Sequence, residues 1–144
     1  MKNIIFLLIV LTSCEFQEFL PQQVYSVEYV INNYDSEYLG NYLISRDLNS
    51  ISRVLDFYSS SFTYEKDNKQ FCKYPKDFIN ERKGDCEDYS VAVALSLKEI
   101  GIENVSVVLI NSNHAIIKIN NTYIEPQTGE LYKYNFTVDY ELNI

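Results

Sequence analysis

Apolar residues in this chain keep one spacing up to about residue 100 and another after it. From Val24 to Leu43, Val24, Val27, Val30, Ile31, Tyr34, Tyr38 and Leu39 recur every three or four positions, the period that gathers side chains on one face of a helix. The polar stretch Asn32-Asn33-Tyr34-Asp35-Ser36 interrupts them and predicts either one broken helix or two short ones. Ile51, Val54, Leu55 and Tyr58 repeat the period behind Asp47 or Asn49, each suited to an N-cap, and the serines at 59–61 are expected to end that helix. Pro75 stands where a first helical turn tolerates it, which predicts a short helix over 75–82 that Gly84 breaks. The segment from Cys86 to Ile100 carries Tyr89, Val93, Leu97 and Ile100 with Ala92, Ala94 and Leu95 beside them. This wide apolar face predicts a largely buried helix, and Gly101 suits the position just beyond it.

After Gly101 the runs become short and rich in β-branched and aromatic residues, predicting strands at 105–110, 114–119, 122–126 and 131–138. Helices first and an antiparallel sheet last define an α+β chain, with the Cys86 helix packed on the sheet. Its 144 residues, 47% hydrophobic and 15% aromatic, suit one compact domain, read as residues 25–144. Thirteen tyrosines with no tryptophan, four glycines and three prolines exclude a collagenous, linker-like or disulfide-scaffold chain.

The start of the chain reads differently. Lys2, an apolar run from Ile4 to Leu11 and Leu11-Thr12-Ser13-Cys14 have the layout of an export signal over residues 1–13, since the run is shorter than the roughly 20 residues of a spanning helix. Its ending resembles a bacterial lipobox. That implies acylation of Cys14, by palmitate-type chains, and a lipidated tether over 14–24 that holds an exported protein to a bacterial membrane. The other reading is a plain secretory leader in which Cys14 has no role. Formal net charge is −8, or −9 once Lys2 is removed, which disfavours nucleic acid and anionic lipid surfaces as partners.

Two further cysteines, Cys72 and Cys86, allow a single disulfide, a structural reading open to any exported chain. Cys86 invites a second reading. Asp85 fits the N-cap of its helix and Asp88 the N3 position, a capping-box pair that puts the thiol at N1, where the helix dipole favours a thiolate. Asp85, Glu87 and Asp88 oppose that charge, so a cationic partner is needed; they are also weak calcium candidates, although too close in sequence for a complete cage. His114 is the one histidine of the chain. With Asn120-Asn121 as a two-residue turn, Ile119 faces Thr122, Ile116 faces Glu125 and His114 faces Gln127. His114 and Glu125 then share a sheet face as diagonal neighbours about 7–8 Å apart. Cys86, His114 and Glu125 thus form a candidate nucleophile, base and orienting acid.

The series "GDCEDYSVAVALSLKEIGI", a strand, "HAIIKI" and "TYIEPQTG" resembles the transglutaminase-like superfamily over roughly residues 50–130, and its "GDCED" element is similar to the bacterial transglutaminase-like cysteine proteinases. The resemblance implies a papain-like core with Cys86 as nucleophile, His114 as general base and acid, and Glu125 where the family usually has Asp. Ala115-Ile116 replaces the Ala-Trp often found after the histidine. For the oxyanion, Asn68, Gln70 and Tyr74 are candidate donors beside the Cys86 backbone N–H. Hydrolysis of an amide in a protein or peptide substrate through a thioester is the leading expectation. Acyl transfer, or a non-catalytic binding module retaining the fold, are the alternatives.

Overall fold

The computed structural model describes residues 22–66 and 71–144. The leader, Cys14, Asn68 and Gln70 lie outside the described residues. Helices α1 (Gln22–Asn33), α2 (Ser36–Ser45) and α3 (Ile51–Ser61) lead to a two-residue strand β1 (Thr63–Tyr64). Then come α4 (Pro75–Glu81), strand β2 (Lys83–Gly84) and α5 (Cys86–Glu99), followed by β3 (Val105–Ile110), β4 (His114–Ile119), β5 (Thr122–Glu125), β6 (Glu130–Leu131) and β7 (Val138–Asn143). The break after Asn33 gives two helices, because the Asp35 side chain accepts the Tyr38 N–H at 2.9 Å and caps α2.

Helix α5 is the axis of the molecule, touching the other four helices and strands β2, β3 and β4. Every residue from Cys86 to Leu97 is buried, so only the end of this helix, at Lys98 and Glu99, reaches solvent. Of its buried hydroxyls, Ser96 Oγ donates to the Ala92 carbonyl at 2.7 Å and lies 2.9 Å from Tyr58 Oη, whereas Ser90 Oγ has no hydrogen-bond partner among the described residues. Around its first turns Tyr58, Phe62, Phe78 and Tyr89 pack as one aromatic group, with ring centroids 4.7 Å apart for Phe62–Phe78 and 5.0 Å for Phe78–Tyr89.

The five-stranded sheet has the order β6-β5-β4-β3-β7, with every neighbouring pair antiparallel. Odd-numbered residues of β3 and β4, among them Val107, Leu109, Ala115 and Ile117, share the core with α5. Even-numbered Val108, Ile110 and Ile116 face the other side, where Tyr123, Tyr132 and Phe136 cover them. The α+β expectation, the three long strands and the α5 packing agree with this architecture.

Two local expectations require correction, the cap of α3 and the last strand. Helix α3 is capped by Ser50, whose hydroxyl accepts the Arg53 N–H at 3.3 Å; Asp47 instead sits in a left-handed turn with φ of 54° and pairs with Arg53. Ser59, Ser60 and Ser61 form the last turn of α3, which ends at Ser61, and Ser60 Oγ donates to the Asp56 carbonyl there. No strand spans 131–138. After the two residues of β6 the chain crosses the outer sheet face, burying Tyr132 and Phe136 there, and β7 adds to the opposite edge beside β3. The parallel β1–β2 pair, with Thr63 opposite Lys83 and Tyr64 opposite Gly84, has no periodicity long enough to predict it.

Gly84 is required by close approach. A Cβ there would stand 2.8 Å from both Asp88 Cβ and Phe78 Cε2. Gly84→Ala is therefore expected to destabilise the protein by about 1–3 kcal/mol, the usual range for overpacking, as a lowered urea midpoint with unchanged slope.

Candidate active site

The approach to Cys86 is held by main-chain bonds to two carboxylates. Asp85 accepts the Glu87 N–H at 3.1 Å and the Asp88 N–H at 3.3 Å, while Asp88 Oδ2 returns to the Asp85 N–H at 3.1 Å, completing the capping box read from the sequence. Asp88 Oδ1 accepts the Lys73 N–H at 2.7 Å, which ties the incoming segment to the same turn. Lys73 Nζ lies 2.8 Å from Glu81 and donates to the Lys83 carbonyl at 2.9 Å. Burial pushes the Asp88 carboxyl up to about 6, against the backbone donors that favour its charge.

Cys86 thus occupies the first position of α5, 6% exposed, packed on Leu109 and Ala115 with Tyr140 and Leu142 alongside. The Glu87 and Asp88 N–H groups are taken by the Asp85 side chain and that of Tyr89 by the Asp85 carbonyl. The Cys86 N–H has no partner among the described residues.

His114 opens β4 and Glu125 closes β5. The register pairs Ile119 with Thr122, Lys118 with Tyr123 and Ile117 with Ile124, as counted from the Asn-Asn turn, and Asn120 supplies the left-handed residue with φ of 54°. His114 Nε2 lies 2.6 Å from Glu125 Oε2. Glu125 Oε1 accepts the Gln127 N–H at 3.4 Å, and its carbonyl accepts the Gly129 N–H at 2.8 Å, so the acid is held by the turn that follows it. The turn before His114 is anchored as well. Asn111 and Ser112, both left-handed, are bound by Thr137 and Asp139 at the start of β7.

Strict alternation would set His114 on the outer sheet face and Cys86 on the inner one. Because His114 is the first residue of its strand, its ring stands at the end of the sheet, beside the N-terminus of α5, and interacts with both side chains. The imidazole is pushed from its ordinary 6.5 up to about 10, first by its interaction with the Cys86 side chain, then by the Glu125 hydrogen bond, while burial acts the other way. The three candidate residues meet at one place.

Cys72 does not bridge to Cys86. Both thiols are free, and Cys72 is buried with its sulfur directed at the Lys73 and Glu87 carbonyls. Burial holds its thiol well above the ordinary range, which suits a packing role. Tyr74 immediately precedes α4, at its N-cap position, and borders a small cavity with Asn33, Asp35 and Asp77. Asp88 directs both oxygens at backbone N–H groups, and no group of three or more His, Cys, Asp or Glu placed to hold a metal ion is found among the described residues.

Sequence reading missed Tyr64 and Tyr132. Tyr64, on β1, has its phenol raised by burial and then by the charges of Cys86, Asp85 and Glu125, and the Tyr132 ring lies 6.0 Å from the His114 ring. Tyr64 belongs to no periodic segment, and Tyr132 falls in the stretch 131–138 whose alternation reads as a strand. Two cavities of about 370 Å³ lie elsewhere, one against Leu43 and Ile100, the other against Ser106 and Lys118. Neither includes the thiol.

A cysteine opening a buried helix, facing a histidine and an acid from adjacent antiparallel strands, defines a papain-like arrangement. A family profile described as a transglutaminase-like domain matches residues 36–132, and the chain belongs to that family. Two solved structures of Legionella pneumophila LapG share the fold. The calcium-bound one has a TM-score of 0.57 at 17% identity, covering 83% of this chain and 83% of that chain. Another has a TM-score of 0.56 at 19% identity, covering 82% and 84%. No curated protein sequence matches the chain.

The raised imidazole has a defined sign. Its folded value lies above its unfolded one, so the stability contributed by protonated His114 is complete below about pH 6.5 and is lost as the pH rises through about 10. Proton NMR of this single histidine should give a midpoint near 10 in the wild type. It should fall further in Cys86→Ala than in Glu125→Gln, following the order of the two causes; an ordinary midpoint in the wild type would contradict the geometry.

Proposed function

We propose that this chain is a cysteine hydrolase of amide bonds in proteins or peptides, working through Cys86, His114 and Glu125. The observation that carries the proposal is the imidazole held between the Cys86 side chain and the Glu125 carboxylate. The proton shared by Cys86 and His114 rests on the imidazole, and the sulfur attacks the carbonyl carbon to form a C–S bond. The oxyanion forms near the start of α5, where the Cys86 N–H and the helix dipole favour negative charge. His114 protonates the departing amine as the C–N bond breaks, leaving a thioester. Water then attacks, giving a proton to His114, and the C–S bond breaks to release the acid and restore the sulfur paired with the protonated imidazole. Glu125 keeps the ring oriented and stabilises its cationic form in both halves. Hydrolysis is favoured over transfer because water is always present. No step is assigned to calcium.

Alkylation by iodoacetamide tests this, with the buried Cys72 as an internal reference. Cys86 is expected to react at least about tenfold faster than Cys72 at pH 7, and His114→Ala to slow it by about tenfold or more. On labelled casein, Cys86→Ala should abolish cleavage and His114→Ala lower it by about 10²–10⁴. Equal alkylation rates in wild type and His114→Ala would overturn the reading.

The enzyme is tethered to a bacterial membrane through acylated Cys14, a reading supported by the lipobox-like ending at Leu11-Thr12-Ser13-Cys14. A clickable palmitate analogue fed to expressing cells should label the wild type and not Cys14→Ala; labelling of both would refute it.

A further inference from the structure

Among the described residues several large apolar side chains remain exposed, and three border the site: Tyr64 at 47%, Leu131 at 57% and Tyr134 at 76%. They lie on two sides of it. Tyr64 stands opposite Gly84, two residues before the nucleophile. On the other side Leu131 follows Glu130, the cross-strand partner of Glu125, and Tyr134 packs edge-on against Tyr132 at 5.5 Å. Tyr132 itself lies 6.0 Å from the His114 ring. Apolar surface left open beside a reactive thiol is what a bound chain would cover.

The backbone of β1 adds a second reason. The Thr63 N–H donates to the Arg82 carbonyl and the Glu65 N–H to the Gly84 carbonyl, so both flanking amides face β2. In a parallel pair the intervening residue points the other way, which puts the Tyr64 N–H and C=O on the open edge of the strand. An extended peptide can pair there through its main chain and present alternate side chains to the aromatic rims.

We propose that Tyr64 and Tyr132 determine specificity, holding between them a large apolar or aromatic side chain of an extended peptide at the residue whose carbonyl Cys86 attacks. The proposal rests on the hydrolase reading above. The phenols of both residues feel the charge of Glu125, which agrees with their flanking a common space. Rings suit this role because two side-chain torsions fix a large contact area at low entropic cost.

Two peptidyl fluoromethyl ketones, identical except for Phe or Ala at the residue bearing the electrophile, are compared by their labelling rates at Cys86 of the whole chain. Wild type should prefer the Phe probe by about tenfold, the scale on which an apolar pocket discriminates. Tyr64→Ala and Tyr132→Ala should each cut that preference by at least threefold, Tyr64→Phe should keep it, and Ile44→Ala, an exposed α2 position, should not change it. The ratio of two probes on one thiol is insensitive to the fraction of folded protein, and thermal melts confirm that each variant folds. A wild-type ratio near one, or a preference unchanged in both alanine variants, overturns the proposal. So does a wild type that takes iodoacetamide in a His114-dependent way but accepts neither peptidyl probe. Loss of His114 dependence sinks the hydrolase reading instead.

Discussion

The Asp88 carboxylate is the constraint on which the rest of the site depends. Placed 1% exposed inside the first turn of α5, it binds the Asp85 and Lys73 amides and so ties the two segments that approach the nucleophile to the helix that carries it. A buried carboxylate is costly unless its lone pairs are met. Here they are met by backbone donors that must stand where they do for Cys86 to occupy the first helical position. Gly84 leaves room for that approach, and the aromatic group of Tyr58, Phe62, Phe78 and Tyr89 closes the space behind it.

Against this rigid helix start, the strands bring an ionisable pair. The Glu125 carboxylate and the Cys86 side chain both favour a protonated imidazole, which is the cation needed to offset the acids around the thiol. Each member is fixed by its own local structure: Cys86 by the capping box, His114 by the Asn111-Ser112 turn bound to the start of β7, and Glu125 by the turn through Gly129. Positioning by main-chain bonds, rather than by long side chains, limits how far the three groups drift apart.

Much of the fold was legible because it rests on periodicity. The split at Asp35, the burial of α5, the Asn120 turn and the register of β4 with β5 follow from spacing and from the short side chains of Asp and Asn at caps and turns. The errors fall where spacing is ambiguous. Ser50 competes with Asp47 and Asn49 over a few residues, and only the local backbone selects among them. Residues 131–138 alternate like a strand, yet Tyr132 and Phe136 serve as a cover for Val108, Ile110 and Ile116, and a cover needs no ladder.

The sequence by itself determined the capping of Cys86, the shared face of His114 and Glu125, and the membership of all three in a family-like series, because each depends on neighbours within one helix start or one hairpin. It did not determine that the imidazole meets the thiol. Alternation assigns the two to opposite sides of the sheet, and only the docking of α5 at the end of β4, with the ring at the open strand terminus, brings them together. Tyr64 and Tyr132 are of the same kind: a two-residue strand carries no pattern and the alternation of the crossing segment misleads, so their places beside the site come from packing alone.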